Sequence, residues 1–168
     1  MIGVIGVAPR EARYSSMIAV DHGGNMDCNL ARAGATVYLP IFIDGGLFAM
    51  GDVHAAMGDG EVGGQGIEVG AEIEIEVAIG NWQLKRPFIE TDEVWATVAA
   101  ASDFMTATWT AVGDMVDYIG MKFGLSPSEA LLLVSLAVNI RVCQIVTAMP
   151  TARVEFPKGM NMSSEHLL

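Results

Sequence analysis

Apolar and polar positions alternate with a period of two between residues 67 and 77. Ile67, Val69, Ala71, Ile73, Ile75 and Val77 fall on one side, and Glu68, Glu72, Glu74 and Glu76 on the other. That period belongs to a half-buried β-strand, because successive side chains point to opposite faces. The acidic row reads as the solvated face, and it also disfavours edge-to-edge association. Residues 37–43 form a second strand-like run, apolar, β-branched and aromatic, bounded by Gly34 and by Asp44-Gly45-Gly46. Pro40 inside it marks an edge strand or a bulge. Residues 1–90 as a whole read as β-rich.

The period changes after residue 100. Met105, Trp109, Val112, Val116, Ile119 and Phe123 recur three and four apart, which predicts an amphipathic helix over 102–124. Ser102 or Asp103 can cap its start, and Gly124 its end. Ser126 and Glu129 then form a capping box, with Pro127 in the first turn, and this opens a second helix. Residues 130–138 are apolar on nearly all sides, so this helix is expected to be buried. Strands are predicted over 140–146 and 152–156. Residues 159–168 read as a frayed tail, with His166 a solvated tail residue.

The resulting fold class is α+β. One domain, residues 1–168, has a β-rich N-terminal part (1–90) built as a small sandwich or barrel-like sheets. It packs with two consecutive C-terminal helices (102–139) and closing strands (140–157).

Composition narrows the function. The hydrophobic fraction of 52% is ample for a core, and 19 glycines suit turn-rich β structure with short strands. Net charge is 9 − 20 = −11. That excludes the basic stripe a nucleic-acid binder needs and disfavours anionic membrane surfaces. Cys28 and Cys143 sit in no CxxC pattern and read as reduced, buried thiols of a cytoplasmic protein. No secretory signal pattern is visible. The apolar stretch 125–149 is interrupted by Glu129, Asn139 and Arg141, so it does not read as a membrane span.

The chemistry concentrates in residues 51–62, Gly-Asp-Val-His-Ala-Ala-Met-Gly-Asp-Gly-Glu-Val. Two aspartates, a glutamate and one of three histidines are spaced there by glycines, which allow tight turns and close backbone approach. Acids and an imidazole on such a frame are a ligand set for a divalent metal, zinc by preference when histidine takes part. The competing reading is a Gly-Asp turn whose carboxylates cap their own backbone.

This segment resembles the signature of the acetamidase/formamidase family, enzymes that release ammonia from small amides. Further motifs look like that family in the same order: Gly6-Val7-Ala8-Pro9, His22-Gly23-Gly24-Asn25-Met26-Asp27, Gly34-Ala35-Thr36-Val37-Tyr38-Leu39-Pro40 and Gly45-Gly46-Leu47-Phe48. So do Gly124-Leu125-Ser126, Glu129-Ala130 and Arg141-Val142-Cys143-Gln144-Ile145-Val146, for a resemblance covering roughly residues 3–158. The resemblance implies a chain corresponding to the C-terminal half of the family, with its N-terminal β-rich region absent. The expectation is a fragment, a split-gene subunit or a reduced version, and a separate N-terminal-half polypeptide is a candidate partner.

Amide hydrolysis needs activated water, a polarised carbonyl and a proton for the leaving nitrogen. A metal provides the first two, and a carboxylic acid can carry the proton. No serine here lies in a G-x-S-x-G elbow, and the lysines form no Ser-Ser-Lys arrangement. Asp52 and His54, two residues apart, are the first metal ligands; in an extended segment they project to one side. Glu61 is the leading general acid or base and a further candidate ligand. Asp59 is either a ligand or catalytic group, or a residue that holds the loop by capping. Asp27 can complete the metal shell, and Asn25 can bond the substrate amide or an oxyanion; His22 is a weaker candidate. Calcium or magnesium remain alternatives to zinc. Leu47, Phe48 and Met57 are expected to line a small, partly apolar pocket. A homo-oligomer is expected, because a wholly apolar helix needs a cover.

Overall fold

The computed structural model describes residues 1–10 and 13–160. Two five-stranded antiparallel sheets face each other, and two helices cover the far side of the second. The first sheet contains β1 (Ile2–Gly6), β2 (Ala19–Val20), β3 (Gly23–Asn25), β5 (Ala49–Ala56) and β6 (Ile67–Glu68), in the order β2-β3-β1-β5-β6. The second contains β4 (Thr36–Tyr38), β7 (Phe88–Glu90), β8 (Val94–Ala100), β9 (Asn139–Gln144) and β10 (Thr151–Pro157), in the order β4-β7-β8-β10-β9. The α+β expectation is met.

The second sheet is shared by two cores. Ile89, Ala96, Val98 and Cys143 pack toward Ile5, Ala19, Met26 and Cys28 of the first sheet and its connections. Ala99, Val154 and Phe156 pack toward the helices. β8 is therefore buried on both faces, and its sequence VWATVAA shows no polar alternation. For that reason the β-rich region extends past residue 90, to a central strand that periodicity alone does not mark.

The helices start where their capping residues stand. α1 (Phe104–Phe123) is capped by Asp103, whose carboxylate accepts from the Thr106 N–H, and ends at Gly124 with φ 66°. α2 (Pro127–Ala137) has the full Ser126/Glu129 capping box. Their buried faces differ from the predicted ones. α1 buries Ala107, Ala111, Val112, Met115 and Ile119, while Met105 and Trp109 of the expected stripe stand exposed. Small alanines face the sheet because they let the helix approach it closely. α2 buries only Ala130 and Val134; Leu131, Leu132 and Leu136 are exposed. Contact with α1, and a smaller one with β10, covers only one stripe of this largely apolar helix.

Two strand expectations also change. The run 37–43 forms a strand only over Thr36–Tyr38, an edge as Pro40 implies. The alternating run 67–77 pairs only over Ile67–Glu68, and its apolar row is largely exposed. Alternation makes a chain able to pair, but a ladder needs a neighbour, and none lies beyond β6 among the described residues. The closing strands agree with the prediction to within two residues. Residues 161–168 of the expected tail, with His166, lie outside the described residues.

Candidate metal centre

Three strands converge on one point. β1 runs between β3 and β5, pairing antiparallel with both. Asp27 follows β3 by two residues, and its N–H donates to the Gly3 carbonyl (3.1 Å). Asp52 and His54 lie in β5. Gly3 makes their meeting possible: a Cβ there would stand 2.5 Å from Asp27 Oδ1 and 2.7 Å from Asp52 Oδ2. Gly66 does the same for the imidazole, since its Cβ would lie 2.7 Å from His54 Cγ.

The result is a compact acid–imidazole cluster. One donor atom each from Asp27, Asp52 and His54 lies within 4.8 Å of the other two. His54 Nε2 is 3.3 Å from Asp52 Oδ1, and His54 Nδ1 is 3.9 Å from Asp27 Oδ1. Asp27 and His54 are 1% and 2% exposed. Both Asp27 carboxylate oxygens and His54 Nδ1 lack a hydrogen-bond donor within the protein, and only a protonated Asp27 can bond its neighbour Glu61. Buried polar atoms are rarely left so. A divalent cation fits this donor set, because it would meet buried carboxylate and imidazole atoms that have no donor in the protein.

The backbone is bent to serve this arrangement. Among the described residues four non-glycines have positive φ, and three of them are Asp27 (45°), Asp52 (54°) and Glu61 (47°). Asp52 is thus not extended, and it meets His54 through a left-handed kink in β5 instead of through simple strand alternation. Such backbone costs about 1–3 kcal/mol per residue and clusters at functional sites.

Asp27 titrates far from its ordinary value. Burial, followed by the charges of Glu61 and Asp52, pushes its carboxyl up from 3.8 to about 7, with His54 acting against them. Glu61 is buried and near enough to act on Asp27 electrostatically. It lies outside the group of three whose donors converge, so its expected role as a ligand is not among the contacts formed.

Asp59 takes the second of its two expected roles. Its carboxylate accepts from Arg153 Nη1 (3.0 Å) and Nη2 (2.7 Å) and from Asn29 Nδ2 (2.8 Å). With its oxygens engaged in this way, it anchors the loop. Arg153 is buried on β10 and also donates to Glu155 (2.6 Å) and to the Val142 carbonyl (2.8 Å). Next to Asp59, the Gly60 N–H donates to the Cys143 carbonyl (2.9 Å), and the Ile145 N–H donates to the Gly60 carbonyl (3.2 Å). The loop that carries Glu61 is therefore stitched to the edge of the second sheet.

The other candidates lie apart from the three ligands. Asn25 is buried on β3, and its Nδ2 is turned to the Met17 carbonyl at 3.5 Å. His22 is buried and stacked on Tyr14 (ring centroids 5.7 Å apart), and burial lowers its pKa. Leu47 and Phe48 are exposed. The opening beside the cluster is a cleft of about 340 Å³ lined by Asp52, Val53, Glu68, Val69 and Gly70, more polar than the expected pocket. Cys28 and Cys143 are free and buried, as predicted, and burial pushes the Cys143 thiol up. Sequence reading missed Arg153 and Asn29, which lie 94 and 30 residues from Asp59, and gave no role to Gly3 or Gly66. A glycine inside the otherwise β-branched segment Ile2-Gly3-Val4-Ile5 was the available signal for Gly3.

The chain is similar to known proteins in sequence and in fold. The sequence model of the acetamidase/formamidase family matches residues 6–159. A solved acetamidase/formamidase from Thermoanaerobacter tengcongensis superposes with a TM-score of 0.87 at 44% identity, covering 94% of this chain and 52% of that one. A Bacillus halodurans acetamidase gives 0.80 at 35% identity, covering 94% and 54%. The acetamidase of Mycolicibacterium smegmatis is 36% identical over 100 residues, 58% of this chain and 24% of that protein. The chain spans about half the length of the solved structures it matches.

Three outcomes follow from the geometry. In metal-free protein, unfolded Asp27 ionises near 3.8 while the folded carboxyl keeps its proton to about 7. Stability therefore falls as pH rises through that window. Asp27→Asn removes this fall and suits the left-handed backbone, so at pH 8 the metal-free variant melts above wild type while binding zinc at least about tenfold more weakly. Melting curves against pH and zinc titration check both signs. Gly3→Ala displaces the two carboxylates, costs about 1–3 kcal/mol in urea unfolding and weakens zinc binding. Arg153→Met leaves Asp59 and Glu155 without their shared guanidinium and costs about 3 kcal/mol, part of which Asp59→Asn in the same chain restores.

Proposed function

The chain belongs to the acetamidase/formamidase family, and from that premise we propose that it hydrolyses small linear amides, formamide or acetamide, to the carboxylate and ammonia. Asp27, Asp52 and His54 would hold a divalent metal ion, with Glu61 as the acid/base group. The observation that carries this reading is the convergence of three donors, two of them buried with unpartnered atoms.

A bound divalent ion supplies Lewis acidity and lowers the pKa of water at neutral pH. Two carboxylates and one imidazole suit zinc; calcium and magnesium ask for more oxygen ligands than this cluster offers. The protein's own part is positional and electrostatic. Asp27 and Asp52 lower the potential at the cluster, which favours a cation and disfavours an anionic product. Glu61, buried in a loop tied to the second sheet, would take a proton on one side of the reaction and return it to the leaving nitrogen. The cleft beside Asp52 and Glu68 gives a small neutral amide access from solvent.

A second reading has its own support. Since this chain spans about half of the solved relatives, the site could need the other half to turn over, with this chain as the subunit that carries the metal.

The deciding experiment is ammonia release from formamide and acetamide by the chain alone, with zinc and then with chelator. Zinc-dependent release, lost in Asp52→Ala and in His54→Ala, is the expected result. Full turnover by either variant, or turnover indifferent to chelation, would refute the metal assignment. Zinc binding without release by folded protein favours the second reading.

A further inference from the structure

The outer strand of the first sheet ends in the open. β6 pairs with β5 on one side only, and its ladder is prolonged by a single bond from the Val69 N–H to the Val53 carbonyl (2.9 Å). Residues 70–80 have no strand partner. Their apolar row nevertheless continues, with Ile75, Val77 and Ile79 exposed at 45%, 69% and 79%. Glu72, Glu74 and Glu76 are exposed as well. A period-two pattern of this length suits a strand with one row covered, and it is here uncovered on both sides.

A second copy is a poor cover. Pairing this segment with itself sets glutamates beside glutamates, between chains that each carry a net charge of −11. The solved relatives offer a different one. Nearly all of this chain matches about half of each of them, so half of their structure has no counterpart here.

We propose that residues 69–79 are the docking strand for the complementary half of the acetamidase/formamidase fold. That half adds to the first sheet beyond β6, covers Ile75, Val77 and Ile79, and sets neutral or cationic side chains beside the glutamates. The same joint borders the metal centre, since the cleft there is lined by Asp52, Val53, Glu68, Val69 and Gly70. Docking therefore supplies the outer wall of that cleft. The inference rests on family membership and not on the amidase reading.

The test is co-expression of the tagged full chain with the unmatched half of the Thermoanaerobacter tengcongensis relative as a separate polypeptide. The expected result is an equimolar complex on size exclusion, in which backbone amides of residues 69–79 exchange at least about tenfold more slowly than in the chain alone. The double variant Ile75→Lys/Val77→Lys should lose the complex while keeping the melting temperature of the free chain, since both side chains are exposed. Three results overturn the proposal: no complex with a soluble complementary half, a complex that tolerates the double variant, or a homodimer that the double variant dissolves. The readout is association, so an inactive complex counts against the amidase reading alone.

Discussion

A missing side chain at Gly3 is the constraint on which the site depends. β1 is the middle strand of its sheet, and the acids from both flanking segments close over that residue. Any Cβ would occupy the space of the Asp27 and Asp52 carboxylate oxygens. Carboxylates brought so close repel one another, and burial adds the cost of lost hydration. The sheet ladders around β1 hold them there despite that repulsion. Left-handed backbone at Asp27, Asp52 and Glu61 shows the same trade at the level of single residues. The fold departs from local preference where the proposed chemistry is.

The second sheet makes this tolerable. Along β10, Val154 and Phe156 face the helices, while Arg153 and Glu155 face the other way. A buried guanidinium is costly unless its donors are met, and here Asp59, Glu155 and the Val142 carbonyl meet them. One consequence reaches the site: Asp59 precedes Glu61 by two residues, so the ion pair that satisfies the core also fixes the loop carrying the acid/base candidate. Core and site are thus coupled through this arginine, alongside the backbone bonds at Gly60.

Local signals in the sequence were the dependable ones. Both helices begin at the predicted capping residues, because a cap is made by residues three apart. The acid and histidine motifs contain Asp27, Asp52 and His54, whose donor atoms the fold brings together. Long-range facts were not legible. Arg153 finds Asp59 across 94 residues, and no pattern near either announces the pair. β8 lacked alternation because it is covered on both faces, and α2 carried a largely apolar surface of which its neighbours cover only one stripe. The segment 67–77 is the informative failure. Its pattern states what it can pair with, whereas the structure shows what is present to pair with it.

The cluster's unmet groups bear on why a cation is favoured over a simple hydrogen-bonded acid–imidazole chain. His54 Nδ1 is 3.9 Å from Asp27, too far for a hydrogen bond, and both Asp27 oxygens are otherwise unpaired. Without a cation, Asp27 lowers its own energy by holding a proton, which is the physical meaning of a carboxyl pushed up to about 7. Proton and metal then compete for one carboxylate. Near neutral pH the proton's hold is weak, so a divalent ion displaces it at little cost. At acid pH the same carboxyl is neutral and the ligand set loses a charge. A divalent ion at this centre would therefore be held more firmly as pH rises through that value. The arrangement that destabilises the empty centre is thus the one that loads it.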